Sequence, residues 1–242
     1  GYIDHFTTVF PLLHARGWPG SFFPPVRTVR ERTLLDVNRI HFILAAAPDV
    51  ASILAEIRVF LDRRGAADGL LSFEAYWAEL AVASRFDSAE VIFVKRLLQH
   101  RLPEAPRAAL CAALFARFVG VDETAFAAEL YMSADQLRTM IRCGMHVGGH
   151  GATHCWLDRL DPAEQEREVD ETLDFLDDLG APTRDWVMCY PYGAHDDSHL
   201  RLLAARGCAV GVTTRVAPAD LVRDPPLALP RLDTNDLPAG AA

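Results

Sequence analysis

Two patterns of hydrophobic and polar positions alternate along the 242-residue chain. In residues 1–33, apolar positions repeat every three or four residues between Phe6 and Leu13, and a short apolar run at 21–23 then ends at two prolines. The first pattern is typical of an amphipathic helix and the second of a buried strand. The segment predicts one helix-to-strand step of an α/β fold, although no strand precedes its first helix.

Residues 34–130 follow helical periods throughout. Apolar residues recur at three- and four-residue spacing, and Pro48, Gly65, Pro103 and Gly120 separate the helical stretches. We predict an all-helical insertion whose aromatic and leucine positions form its core. A homo-oligomer formed through this apolar insertion is an open alternative.

The alternation of strands and helices returns at Ser133. Capping signals open two helices, SADQ at 133–136 and DPAE at 161–164. The acids after Pro162, Glu168 among them, are expected on a solvated helix face. A helix is predicted over residues 196–206, and disorder over residues 239–242. The predicted strands lie at residues 145–149, 186–190, 208–214 and 227–233.

Strands that alternate with helices through short turns indicate an α/β fold with a parallel sheet or barrel. In such folds, chemistry gathers at the carboxyl ends of the strands. His150 and Tyr192 each follow a predicted strand, and Arg231 lies at the end of a third. We therefore expect these three residues at one rim of the fold.

His150 and His154 would lie on one face of a single helical turn. Two imidazoles at this spacing can hold one metal ion. The spacing alone is a weak signal, and ordinary polar residues at a strand-to-helix corner are the alternative.

Composition narrows the class of partner. Half of the residues are hydrophobic, and the net charge is −9. An acidic balance argues against nucleic acid or an anionic membrane surface as the main partner, and no stretch is long enough for a membrane span. Five cysteines without a Cys-x-x-Cys pair favour a reducing compartment, so a cytoplasmic location is expected. No signal peptide is visible in the sequence, which begins with glycine rather than methionine.

Three pieces of the chain resemble one family. They are VGGHGATH at 147–154, CYPYG at 189–193, and GYID at 1–4 with FPLL at 10–13 and SFF at 21–23. Together they resemble the metal-binding histidine motif, the proline-tyrosine-glycine loop and the segment after the paired aspartates of the NodB-homology polysaccharide deacetylases, carbohydrate esterase family four.

The resemblance implies a distorted (β/α) barrel that lacks its first strand in this chain. Residues 1–33 and 131–238 would form the deacetylase-like domain, and residues 34–130 the helical insertion. The implied activity is that of a hydrolase that removes acetyl groups from N-acetylated sugars, whether free, nucleotide-linked or polymeric.

The resemblance also implies roles for single residues. A divalent metal, preferably zinc, would be held by His150, His154 and an aspartate. The Tyr192 backbone amide would stabilise the oxyanion, and Pro191 and Tyr192 would contact the substrate. Arg231 would supply a charge that orients the catalytic base, with a surface salt bridge as the equal alternative.

The chain departs from the family at four points. The paired aspartates are not in it and would directly precede Gly1, and Asp4, in the first helix, is a conceivable substitute ligand. Gly151 stands where a hydroxyl residue is usual, and Cys189 where an arginine is common. The family's late histidine has no clear counterpart.

His195 and His199 lie near the position of that late histidine and are expected to face solvent. Two alternatives to the deacetylase remain open. One is a catalytically inactive binding or scaffold domain of the same fold. The other is a closed structural zinc site of His150, His154, Cys155 and Cys189.

Overall fold

The computed structural model describes residues 1–65, 68–84 and 87–237. The predicted disorder of residues 239–242, and residue 238 of the predicted domain, lie outside this range. The chain divides into an α/β unit, residues Gly1–Thr33 and Ala127–Ala242, and a helical unit, residues Leu34–Phe126.

The described residues of the helical unit form five α-helices, half of a sixth, and a π-helical segment. The α-helices are α3 (Asp36–Ala46), α4 (Val50–Arg64), α5 (Phe73–Leu80), α6 (Ala89–Arg96), α7 (Glu104–Phe118) and α8 (Glu123–Leu130), which runs into the α/β unit. The π-helical segment, Leu97–Arg101, continues α6. Side chains of Asp49, Ser72 and Ser88 cap the amino ends of α4, α5 and α6 by accepting backbone N–H bonds. The core is apolar, and Ile57 and Phe93 are fully buried in it.

The α/β unit begins with a π-helical turn, His5–Val9, that continues into α1 (Phe10–Ala15). Its further helices are α2 (Val26–Arg30), α9 (Ala134–Arg142), α10 (Pro162–Leu179) and α11 (Asp197–Ala205). Both predicted capping boxes are present, at Ser133 with Gln136 and at Asp161 with Glu164. Gly180, at φ +74°, ends α10 in the left-handed conformation that suits glycine.

The described residues of the α/β unit contain four short parallel strands. They are β1 (Ser21–Phe22), β2 (His146–Val147), β3 (Trp186–Cys189) and β4 (Cys208–Val212). β1 pairs with β2, and β3 with β4, in parallel. Parallel bridges from Gly149 to Met188 and from Val212 to Leu229 continue this order. The carboxyl ends therefore meet at one edge, and the closed barrel stays a prediction.

The strands are shorter than the sequence pattern predicts. Of the strand predicted at 145–149, two residues form a strand and Gly149 forms a single bridge. Of the strand predicted at 227–233, the structure has the single bridge at Leu229. At Gly148 and Gly149 a neighbouring strand approaches very closely. A Cβ on Gly149 would lie 2.7 Å from the Trp186 ring, and one on Gly148 would lie 2.6 Å from the Val187 carbonyl oxygen. Only glycine fits there, and these residues set the path into His150.

Within the described ranges, no helix has the length and apolar character needed to cross a membrane.

Candidate active site

The segment from His150 to His154, here called the histidine loop, connects β2 to the chain before α10. It is not the helical turn that the spacing predicts, because Gly151 (φ +71°) and His154 (φ +59°) both adopt left-handed conformations. This loop nevertheless brings the two imidazole rings to a centroid distance of 4.9 Å. The pair is thus formed by loop geometry, and the expected helix there is wrong.

His150 is held by the neighbouring strand. Its Nδ1 lies 2.5 Å from the carbonyl oxygen of Cys189 at the end of β3. A carbonyl only accepts hydrogen bonds, so Nδ1 carries the proton and Nε2 keeps a lone pair. This arrangement is the one that fixes a metal-binding histidine in the correct tautomer.

Both histidines are kept neutral by their surroundings. Burial, helped by the neighbouring His154, lowers the pKa of His150 to about 3. Burial likewise lowers the pKa of His154 to about 4. At neutral pH each ring therefore offers a lone pair, as a metal ligand must.

Glu168 on α10 is buried against the histidine loop, contrary to the expected solvated face. Its Oε2 accepts the backbone N–H groups of Ala152 (2.7 Å) and Thr153 (3.1 Å). Its Oε1 accepts the Thr153 hydroxyl at 2.6 Å. The side chain that fixes the loop thus comes from the following helix.

The proline-tyrosine-glycine loop lies directly after β3. It forms a 3-10 turn, Pro191–Gly193, in which Tyr192 has a left-handed φ of +59°. The Tyr192 ring stacks on Trp156 at 4.5 Å, with only 4° between the planes. It also meets the His154 ring edge-on at 5.0 Å. Tyr192 and the histidine pair are therefore neighbours, as their positions after β2 and β3 predict.

Arg231 approaches the same region from beyond the Leu229 bridge. Its Nε donates a hydrogen bond to the Thr213 carbonyl at 2.8 Å. Burial raises the pKa of the Cys189 thiol, and the nearby Arg231 charge opposes that rise. In the described part of the chain Arg231 forms no ion pair, so the alternative of a surface salt bridge is not seen.

His199 does not face solvent as expected. It is fully buried, and its ring meets Tyr190 edge-on at 5.7 Å. Among the described residues neither ring nitrogen has a hydrogen-bond partner. His195 is partly buried, with its ring stacked on Tyr190 at 4.8 Å and its Nδ1 2.9 Å from the Gly193 carbonyl oxygen.

The described residues supply two metal ligands here. No group of three or more histidine, cysteine, aspartate or glutamate side chains is placed to hold a metal ion within ranges 1–65, 68–84 and 87–237. Asp4 therefore does not complete a site, and the closed zinc site with Cys155 and Cys189 is wrong. The donor chemistry and geometry of the two imidazoles fit two positions of a zinc-like ion.

The central part of the chain matches a known protein family. Residues 113–211 match the family model described as polysaccharide deacetylase. These residues contain the histidine loop and the proline-tyrosine-glycine loop. The resemblance to the polysaccharide deacetylases is confirmed over this segment.

Solved deacetylase structures are similar to parts of the chain. A Streptococcus pyogenes deacetylase in complex with acetate is 27% identical, with 45% of this chain and 47% of that one covered and a TM-score of 0.41. A family 4 carbohydrate esterase from Streptomyces lividans, also in complex with acetate, is 24% identical. The match covers 34% of this chain and 42% of that one, with a TM-score of 0.32.

A deacetylase domain from Bordetella bronchiseptica is 14% identical, and the match covers 96% of this chain and 67% of that one. Its TM-score is 0.47. All three TM-scores lie below 0.5, so these likenesses carry no weight for the fold. The matched part spans about half of the Streptococcus protein, at 47% of its length. No curated protein sequence is significantly similar to the chain.

Proposed function

We propose that this chain is a metal-dependent hydrolase that removes acetyl groups from N-acetylated sugars. One observation carries the proposal: a half-buried pair of histidine rings, 4.9 Å apart, beside the left-handed Tyr192 turn at the carboxyl edge of parallel strands. Both features lie within the residues that match the polysaccharide deacetylases.

The histidine pair would hold the metal. His150 would bind through Nε2, because its Nδ1 proton is engaged by the Cys189 carbonyl. His154 would supply the second imidazole, and the remaining ligands would come from outside the described side chains. A divalent metal, preferably zinc, supplies Lewis acidity to the acetyl carbonyl and lowers the pKa of a bound water when present.

The surrounding residues would position the substrate. Hydrolysis breaks the amide C–N bond, joins the oxygen of water to the acetyl carbon, and leaves acetate and a free amine. We assign the Tyr192 backbone N–H as a donor to the oxygen on which negative charge develops. Pro191 and the Tyr192 ring would contact the sugar, and Arg231 would orient the catalytic base.

The first test measures bound metal by elemental analysis. We expect about one zinc per chain, lost in His150→Ala and in His154→Ala, because each variant removes one of the few ligands of a catalytic site. His14→Ala, which removes an exposed histidine of α1, is the matched control and should retain the metal. A wild-type chain that takes up no zinc, even on incubation, would contradict the metal site.

The second test measures acetate release from N-acetylglucosamine oligomers. The natural protein is used, with any residues that precede Gly1, because the family resemblance puts the paired aspartates there. Zinc-dependent acetate release that both histidine variants abolish supports the proposal. Bound zinc without acetate release would favour the alternative of an inactive binding or scaffold domain.

A further inference from the structure

We propose that Glu168 is the positioning residue of the histidine loop and sets the affinity of the histidine pair for metal. The inference rests on the proposed function, since it concerns the same site. Glu168 does not touch the reacting atoms. It acts through the backbone that connects His150 to His154.

The hydrogen bonds of Glu168 are directed at the loop. The side chain accepts from two backbone amides and one hydroxyl, all within residues 152–153. Burying a carboxylate is costly unless it is paired or hydrogen-bonded. Here the three donors all come from the segment between the two candidate ligands. The carboxylate therefore gains its stabilisation only when this segment is in place.

The loop needs an external support. Gly151 and His154 are both left-handed, and for a residue other than glycine this conformation is disfavoured. The segment between them has no regular secondary structure, so helical or ladder hydrogen bonds do not hold it. Strained conformations persist when the surrounding structure determines them. The backbone N–H groups of Val26 and Arg27 hold the carbonyl oxygens of Gly151 and Ala152. Glu168 holds the N–H groups of Ala152 and Thr153, which no other described group bonds.

The position of Glu168 also accounts for Gly151. A Cβ on residue 151 would lie 3.0 Å from Glu168 Oε2, closer than a side chain comfortably allows. The carboxylate thus takes the space where the family resemblance expects a hydroxyl side chain. In this chain α10 provides support for the loop, with the Thr153 hydroxyl as one of the donors to Glu168.

The experiment measures zinc affinity by competition with a chromophoric chelator. We expect Glu168→Ala to weaken zinc binding roughly ten- to hundredfold, the effect of removing a residue that orients metal ligands. Glu168→Gln should weaken it less, since one amide oxygen still accepts hydrogen bonds. Glu171→Gln, an exposed position on the same helix, removes the same charge and should leave the affinity unchanged.

Amide hydrogen exchange of the metal-free protein gives a second readout. Loss of the carboxylate should speed exchange at Ala152 and Thr153 while the core of α10 stays protected. Glu168→Gln keeps both measurements available if Glu168→Ala does not fold.

The outcomes separate the two proposals. If the wild type binds zinc and the Glu168 variants bind it equally well, the inference is wrong and the proposed function stands. If the wild type binds no zinc, the proposed metal site fails, and hydrogen exchange then decides the role of Glu168. Unchanged exchange at Ala152 and Thr153 would overturn the inference in that case too.

Discussion

The two units differ in what they bury. Among the described residues the helical unit buries one polar side chain, Asn38, whereas the α/β unit buries several. Those of the α/β unit are Thr28, Gln165, Glu168, Thr172, His199 and Thr213. A buried polar group is destabilising without a hydrogen-bond partner. Those that bond to a loop backbone, as Glu168 and Gln165 do, restrict that backbone.

Several charged pairs of the helical unit lie at the surface, whereas the pairs of Arg39 with Asp36 and Glu123 are partly buried. Arg101 pairs with Glu79 and Arg58 with Glu74, both with exposed side chains. Surface pairs contribute little to stability and impose little on the backbone. The comparison teaches that the α/β unit uses buried polar groups to specify loops, while the helical unit relies on apolar packing.

The largest effect on stability should come from the helical core. Ile57 is fully buried, so Ile57→Ala should lower the free energy of unfolding by about 2–5 kcal/mol, the usual cost of such a cavity. Chemical denaturation measures this change. Zinc affinity of the folded variant should stay unchanged. A parallel loss of zinc affinity would break the comparison, because the helical core would then contribute to the metal site.

A smaller effect should follow from His199. Burial lowers its pKa to about 4, with Asp196 opposing and His195 reinforcing the shift. The folded protein keeps this ring neutral, whereas the unfolded chain binds a proton below pH 6.5. Stability is therefore complete above pH 6.5 and falls as the pH drops towards 4, by up to about 1.4 kcal/mol per pH unit for one proton.

Denaturation curves recorded between pH 7 and pH 4.5 measure how the free energy of unfolding changes with pH. His199→Leu should remove the part of this change that protonation of His199 causes. His14→Leu, at an exposed position on α1, is the control and should keep the slope of the wild type. An unaltered slope in His199→Leu would show that this histidine does not couple protonation to folding.

The smallest effect should come from the Trp156–Tyr192 stack. Trp156→Ala removes a parallel contact that supports the left-handed Tyr192. An aromatic pair contributes about 0.5–1.5 kcal/mol, which corresponds to a roughly two- to tenfold lower kcat for acetate release. Trp156→Phe keeps a stacking ring and should recover most of the rate. An unchanged kcat in Trp156→Ala would show that Tyr192 keeps its functional conformation without the Trp156 ring.

Hydrophobic periodicity predicted the elements of both units well. The helices of the insertion and the capping boxes at 133–136 and 161–164 follow from local rules that tertiary contacts do not alter. The order of residues after the strands also placed His150 and Tyr192 at one edge. Closure of the strands into a barrel depends on long-range pairing and is not predictable from these patterns.

The errors concern polar residues in apolar stripes. Gln165, Glu168 and Thr172 follow the same three- and four-residue spacing as the buried Phe175 and Leu179. This spacing could have revealed Glu168, but a carboxylate was assigned to solvent by its type. His199 precedes the buried Leu203 by one turn and was missed for the same reason.

The histidine loop shows a different kind of error. A spacing of four residues fits a helix, but it also fits any loop that turns back on itself. Gly151 directly after His150 indicated the loop, since glycine is a poor helix former and favours left-handed turns. The backbone after that turn is hydrogen-bonded to Glu168 on the following helix, and the local spacing pattern does not predict this contact.

The pairing of β1 with β2 has a consequence for synthesis. Ser21 pairs with His146, so the helical unit lies between the two partner strands in the chain. A ribosome that adds about 5–20 residues per second needs roughly 6–25 s to make this interval. Helices, with their short-range contacts, form much faster than that. We therefore expect the helical unit to be folded before β1 meets its partner, with β1 exposed on the nascent chain until then.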